Sequence, residues 1–343
     1  MVKNKFVRIT WIDYVRCIAI LLVILMHSSE QAGVSDLFSR SLLSSIGRLG
    51  VPLFLMISGA LMLPKVFQYS ISEYFLRYTK RIIQFVLLLF GYAVITNLIH
   101  ISFIKGEVIE CPLHFLINNN GITAKGVAVH LWYMRVITVL YILLPFLSRF
   151  VKPLKSFTLC AWIGICMLPF ILSKELCSIK LLSTVFPYIG YFVLGYIISN
   201  RVEIKTRSKN IMLISSLVLI ISILVAYIID LRFNGVDFFH FHWYSSSFTI
   251  LISSIALFIL LRELFEKYST CPPIIANLSK CSFGIYLSHY IILLVIKDLV
   301  SSSCHFSLNG AILIVFYFFL SCFFAWGITS VLIRVPYLRK IVC

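Results

Sequence analysis

Residues 12–29, IDYVRCIAILLVILMHSS, decide the fold because they form an apolar run of membrane-spanning length that carries two ionisable side chains. Arg16 and His27 are separated by three helical turns plus about 20°, so both side chains leave the same face of a helix. The rise between them is about 16 Å, roughly half the hydrocarbon thickness of a bilayer. Ionisable groups at such depths are costly and usually mark a functional site. This layout suits a long anionic ligand whose reactive end must reach a base.

The rest of the chain has the composition of a polytopic membrane protein. Of its 343 residues, 60% are hydrophobic and 13% are charged, which is about half the charged share of a soluble domain. We therefore predict an all-α membrane helix bundle, with one integral domain over residues 1–343 and no separate soluble domain. The apolar runs predict about ten spans: 12–29, 46–63, 82–104, 129–148, 157–173, 183–199, 211–229, 244–262, 281–300 and 308–333.

The net charge of +17 would suggest a nucleic-acid partner in a soluble protein. Here anionic lipid headgroups and membrane topology account for it, so we expect membrane lipids and no nucleic acid. Most of the 30 lysines and arginines fall on one side of the predicted spans, which places both termini in the cytoplasm. Arg16 then lies toward the cytoplasm, and four polar side chains lie toward the outer face: His27, Arg48, His130 and Arg135.

The ten cysteines have no metal-ligand spacing, and we predict no metal site. Cys17 and most of the others fall in predicted helices as small apolar packing residues. Three lie in predicted loops, where a disulfide between two of them is compatible with the sequence but cannot be assigned: Cys111, Cys177 and Cys304.

Charged residues in the first span and at the cytoplasmic end of the third helix each have two interpretations. Asp13 and Arg16 face one another at i, i+3, either as an ion pair near the headgroups or as an orienting carboxylate behind a ligand-binding guanidinium. Residues 77–81, RYTKR, are either ordinary cytoplasmic charge or a phosphate clamp formed by Arg77, Lys80 and Arg81.

Three further segments interrupt apolar runs. Residues 47–59, GRLGVPLFLMISG, combine Arg48, Pro52 and Ser58 with glycines, which indicates either a packing kink with close helix contact or a ligand site. Residues 130–133, HLWY, open the fourth span and are typical of an interfacial aromatic belt. Residues 282–289, SFGIYLSH, open the ninth span and place His289 where it faces protein rather than lipid.

Taken in order, these segments resemble the acyltransferase 3 family of integral membrane acyltransferases. The matching parts are residues 11–16 followed by His27, with ten residues between Arg16 and the histidine, then 51–59, 130–133 and 284–289. The basic segment matches more loosely, because Lys80 stands where a second arginine is often found.

The resemblance implies a membrane-embedded O-acyltransferase in the bacterial cytoplasmic membrane. It would move an acyl group, commonly acetyl from acetyl-CoA, to a hydroxyl of a surface-glycan sugar or its lipid-linked precursor. Acyl-CoA would be the donor substrate, with no cofactor held permanently. The oligomeric state, the acceptor sugar and the acyl chain stay open.

Two residues are expected to carry the chemistry. A neutral imidazole suits His27 to take a proton from the acceptor hydroxyl, and Arg48 would stabilise the oxyanion. An acyl-histidine intermediate is the rival mechanism. The remaining candidates would bind donor or acceptor: Asp13, Arg16, Ser58, Arg77, Lys80, Arg81, His130, Trp132, Tyr133, Arg135, Tyr286 and His289.

Two other classes of protein compete with this interpretation. A transporter would use the intramembrane arginine and histidine to line an anion path, and it would be expected to show internal pseudo-symmetry, which the sequence lacks by eye. A structural or regulatory membrane subunit would not require Arg16 and His27 on one helix face.

Overall fold

The computed structural model describes residues 8–32, 42–43, 45–100, 128–172, 180–202, 209–233, 248–303 and 310–342. Within those ranges all regular structure is helical. The α-helices with described bounds are α1 (Thr10–Gln31), α2 (Gly50–Val66), α3 (Ile71–Ile99), α4 (Trp132–Val151), α5 (Ser156–Leu172), α6 (Lys180–Asn200), α7 (Lys209–Phe233), α8 (Phe248–Phe265), α9 (Pro273–Ser303), α10 (Gly310–Leu332) and α11 (Pro336–Val342). A short 3-10 helix, Val129–Leu131, precedes α4.

The long helices fall where the ten spans were predicted, which confirms the all-α polytopic bundle. In the described part of the chain, eight helices are long and apolar enough to cross a membrane, namely α1 to α4 and α7 to α10. Helices α5 and α6 occupy the two remaining predicted positions. The cytoplasmic location of both termini stays a prediction.

Helix α3 begins eleven residues before its predicted span, at Ile71. The reason is a capping box: the Ser70 hydroxyl accepts a hydrogen bond from the Glu73 backbone N–H at 3.2 Å, and the Ser70 N–H donates to the Glu73 carboxylate at 2.8 Å. Hydropathy detects only the apolar part of this helix, whereas the cap starts it six residues before the basic segment 77–81.

Helix α1 is the central helix of the bundle, since it packs against α2, α8, α9 and α10. Its residues Val15, Ala19 and Ile20 are fully buried. The face that carries Arg16 and His27 is therefore directed into protein rather than lipid, as the cost of an exposed charge in hydrocarbon requires.

Helix α2 makes its most extensive contact with α6, and a glycine from each helix permits it. A Cβ atom on Gly59 would lie 1.7 Å from the Phe192 carbonyl oxygen, and one on Gly195 would lie 2.0 Å from the Met56 carbonyl oxygen. Close backbone approach at small residues is typical of membrane helix pairs. The close helix contact, one part of the packing interpretation of residues 47–59, is therefore present at Gly59.

The helical interruption in residues 47–59 falls at Arg48 and Leu49, which form a turn immediately before α2. Pro52 lies in the first turn of α2, where its missing N–H would have no partner within the helix. Pro52 therefore removes no hydrogen bond from α2, and Arg48 lies in the turn that precedes the helix.

Two arginines stabilise helix ends on the predicted cytoplasmic side. The Arg201 guanidinium donates to the carbonyl oxygens of Val151 and Lys152, each at 3.2 Å, and to that of Leu154, so it closes the C-terminus of α4. Arg262 donates to the carbonyl oxygen of Ile198 near the end of α6. Some of the charge that sets the predicted topology therefore also caps helices.

Candidate active site

A cavity of about 340 Å³ lies among α1, α2, α3, α4 and α9. Among the described residues, its lining contains three cations and no carboxylate. The lining residues are Arg16, Phe54, Ser58, Arg81, Phe85, Tyr133, Ile137, Tyr141, Ser279, Lys280, Ser282, Phe283 and Tyr286. A pocket with excess positive charge, hydroxyl groups and aromatic rings is suited to an anionic ligand that also has an apolar part.

Asp13 fixes one wall of this cavity. Its carboxylate is buried, accepts a hydrogen bond from the Ser279 hydroxyl at 2.6 Å, and pairs with Arg8 Nε at 2.6 Å. The Arg16 guanidinium is farther away, with 3.9 Å from Nη1 to Oδ1, and 35% of its side chain is exposed. Asp13 therefore joins α1 to α9 and leaves Arg16 facing the cavity.

The basic segment of α3 divides between cavity and surface. Arg81 lines the cavity, where its guanidinium lies 4.8 Å from the Phe85 ring centroid and 5.6 Å from that of Phe283. Arg77 is exposed and lies over the Tyr69 ring, and Lys80 is exposed. A third cavity cation, Lys280 on α9, was not among the predicted site residues.

Three histidines meet on the other side of the cavity's aromatic wall. His27, His130 and His289 are all buried, and the ring of His289 lies 5.4 Å from that of His27 and 5.5 Å from that of His130. The ring of Tyr290 stacks on His130 at 4.8 Å and meets His27 edge-on at 5.1 Å. Sequence spacing did not show that α1, α9 and the short 3-10 helix before α4, Val129–Leu131, would bring these side chains together.

Glu30 is the residue of this cluster that sequence reasoning missed. Its Oε2 atom lies 3.1 Å from Nδ1 of His27, and its Oε1 atom accepts from Nη2 of Arg48 at 3.5 Å. The signal was present, since residues three apart face each other on a helix. Next to Glu30, Gln31 donates to the Tyr290 hydroxyl at 3.0 Å and accepts from Lys297 at 3.1 Å.

Tyr286 connects the cavity to the histidine cluster. It lines the cavity, its hydroxyl donates to the His130 carbonyl oxygen at 2.7 Å, and its ring lies 6.0 Å from the rings of both His130 and His289. Tyr133 packs edge-on against Tyr286 at 5.3 Å, and Phe54 lies 6.3 Å from Tyr133. We call Phe54, Tyr133 and Tyr286 the aromatic partition.

The remaining predicted site residues divide between the cavity lining and positions outside it. Arg135 is exposed on α4, and Trp132 packs against Tyr188 at 5.2 Å without lining the cavity. Ser58 does line the cavity and donates to the Phe54 carbonyl oxygen at 2.8 Å. The three loop cysteines, Cys111, Cys177 and Cys304, lie outside the described residues. Within the described ranges no group of histidine, cysteine or acidic side chains has the arrangement of a metal site.

Comparison with known proteins gives one match. A family model described as an acyltransferase domain, that of the acyltransferase 3 family, matches residues 9–330 of this chain. No curated protein matches the chain, and no solved structure does.

Proposed function

The chain belongs to the acyltransferase 3 family, and from that premise we propose that it is an O-acyltransferase that moves an acetyl group from acetyl-CoA to a sugar hydroxyl. The family makes it a membrane acyltransferase rather than a transporter or a structural subunit. The donor, the acyl group and the acceptor are our proposal, with a surface glycan or its lipid-linked precursor as the acceptor. We further propose a resemblance to the O-acetyltransferase of enterobacterial common antigen, which would imply a sugar acceptor.

The cationic cavity supports the donor side of this proposal. Arg16, Arg81 and Lys280 present positive charge, no carboxylate is among the lining residues that the structure describes, and such a surface suits phosphate oxygens. Acetyl-CoA is anionic at its nucleotide end and neutral at its thioester. The nucleotide would lie against these cations, with the thioester directed toward the aromatic partition.

The histidine cluster supports the acceptor side. His27 takes the proton of the acceptor hydroxyl, whose oxygen attacks the thioester carbonyl carbon. An ester C–O bond forms, the C–S bond breaks, and the leaving thiolate takes the proton from His27 to give coenzyme A. The observation that carries the proposal is Tyr286, because one side chain borders both the cationic cavity and the histidine cluster.

The proposed location is the bacterial cytoplasmic membrane, with the donor entering from the cytoplasm and the acceptor from the outer face. The eight apolar helices of the described chain support a multipass membrane protein. Arg16 lies toward the predicted inner side and His27 toward the predicted outer side of α1, so one helix reaches both substrates.

The test is a chemical comparison of cell-surface glycan from cells with and without this protein. We expect one ester to disappear when the protein is absent, to return with the wild-type chain, and to stay absent with His27→Ala. His100→Ala, at the C-terminal end of α3, is the matched histidine control and should restore the ester. Full restoration by a normally folded His27→Ala protein would contradict the base assignment, and an unchanged glycan would contradict the acceptor class.

A further inference from the structure

Among the three clustered histidines, His27 alone has a carboxylate partner in the described part of the chain. Glu30 Oε2 lies 3.1 Å from its Nδ1 atom. His289 instead directs Nδ1 at backbone carbonyl oxygens, those of Tyr286 at 2.7 Å and Ile285 at 3.1 Å, and it is 0% exposed. The histidine with the carboxylate partner, His27, is also the most exposed of the three, at 5%.

The Glu30 contact also decides which nitrogen of His27 is basic. An ionised carboxylate can only accept a hydrogen bond, so Nδ1 of His27 must carry the hydrogen that Glu30 accepts. The lone pair of the neutral ring then resides on Nε2. A histidine that acts as general base needs one ring N–H that donates to an acceptor and a second, unprotonated nitrogen that takes the substrate proton. An orienting acidic residue provides this arrangement.

Arg48 holds the same carboxylate from the opposite side. Its Nη2 atom lies 3.5 Å from Glu30 Oε1, so the two carboxylate oxygens are divided between His27 and Arg48. Only 13% of the Arg48 side chain is exposed, compared with 34% for Glu30. Arg48 lies with Leu49 in the turn that precedes α2, and its guanidinium reaches the end of α1 from there.

We propose that Glu30 is the positioning residue of His27, and that Arg48 acts on the reaction through Glu30 rather than by binding the oxyanion. This inference rests on the proposed acyl transfer and deepens it. Glu30 fixes the ring with Nε2 toward the acceptor and stabilises the imidazolium that forms when the hydroxyl proton is taken. In a buried site that positive charge is costly without a partner. The role assigns Arg48 differently from the sequence-based expectation of an oxyanion donor.

The experiment measures transfer of radiolabel from acetyl-CoA in membranes of cells that lack the native protein, so that the membranes supply the acceptor. We expect Glu30→Gln to lower the maximal rate by about 100-fold or more, as loss of an orienting carboxylate does. The KM for acetyl-CoA should stay within about twofold, because Glu30 lies outside the donor cavity. Asp298→Asn, which removes another carboxylate from the outer part of α9, is the matched control and should keep the wild-type rate.

Two further variants distinguish loss of the positioning carboxylate from a folding defect. Glu30→Asp retains a carboxylate and should recover a substantial part of the rate lost in Glu30→Gln. Glu30→Ala should regain activity when formate is added, because a partly exposed site can admit a small carboxylate. A purely structural role for Glu30 predicts no rescue by formate, and that result would overturn the positioning role.

The double variant tests the role of Arg48. If Arg48 works through Glu30, then Glu30→Gln with Arg48→Gln should be no slower than Glu30→Gln alone. If the rate losses of the two single variants multiply in the double variant, Arg48 acts independently of Glu30. That result would overturn its proposed role and restore its assignment as the oxyanion donor.

A wild-type protein that transfers no label would instead reject the acyl transfer itself. Wild-type rates in Glu30→Gln, with His27→Ala inactive, would reject only this inference.

Discussion

At the residue scale, the cavity separates two neighbouring cations of α3 that the sequence alone treats alike. Arg81 lines the cavity, whereas Lys80 is exposed outside it. We expect Arg81→Gln to raise the KM for acetyl-CoA about tenfold or more, since a hydrogen bond to a charged group contributes about 1.5–3 kcal/mol. Lys80→Gln should change the KM by less than about twofold. Steady-state kinetics on both variants will check this, and equal effects would contradict the donor cavity.

Helix periodicity placed Arg16 and His27 on one face of α1, and each lies in one of the two features on which the proposed chemistry depends. Glu30 obeys the same periodicity but lies just beyond the predicted span 12–29, so it was not among the predicted site residues. Lys280 was not predictable in this way, because its place in the wall depends on how α9 packs against α1 and α3.

At the element scale, the crossing of α2 and α6 leaves no room for a side chain at Gly59. An added methyl group would meet the Phe192 carbonyl oxygen at 1.7 Å, so backbone must move. We expect Gly59→Ala to destabilise the bundle by about 1–3 kcal/mol or more. Thermal unfolding of detergent-purified protein measures the effect.

Gly91 on α3 provides the control for that substitution. A Cβ atom there meets nothing within 4 Å, so Gly91→Ala should leave the melting temperature unchanged or raise it, because alanine favours the helix by about 1 kcal/mol. Equal losses in both variants would show that the crossing at Gly59 is not tightly packed.

Element positions followed from hydropathy, whereas element partners did not. Apolar length marks a span wherever it packs, and so the ten helices were located before their neighbours were known. The start of α3 was missed because the Ser70 cap is polar. Which helices touch depends on matched surfaces such as Gly59 against Phe192 and Gly195 against Met56, and one sequence does not display those pairings.

At the scale of the whole molecule, the predicted orientation can be tested with fusions. Alkaline phosphatase folds to an active form only outside the cytoplasm, so a fusion after Ala32 should be active and one after Lys152 inactive. A C-terminal green fluorescent protein should fluoresce. The reverse pattern of fusion activities would mean that the bundle has the opposite orientation, with the cationic cavity toward the outer side. That result would contradict entry of acetyl-CoA from the cytoplasm.

The aromatic partition has an electrical consequence. In the predicted orientation, exposed Lys280 lies toward the cytoplasm and partly exposed Glu30 toward the outer face. The aromatic partition of Phe54, Tyr133 and Tyr286 lies between them, so the membrane voltage would fall mainly across that layer. Moving one elementary charge through that layer would involve about 2.3 kcal/mol per 100 mV. An acetyl group is neutral, and the coenzyme keeps its charge on the side from which it came. Under the proposed function, the protein passes a chemical group through an insulator without carrying current, so the resting potential neither drives nor opposes the transfer.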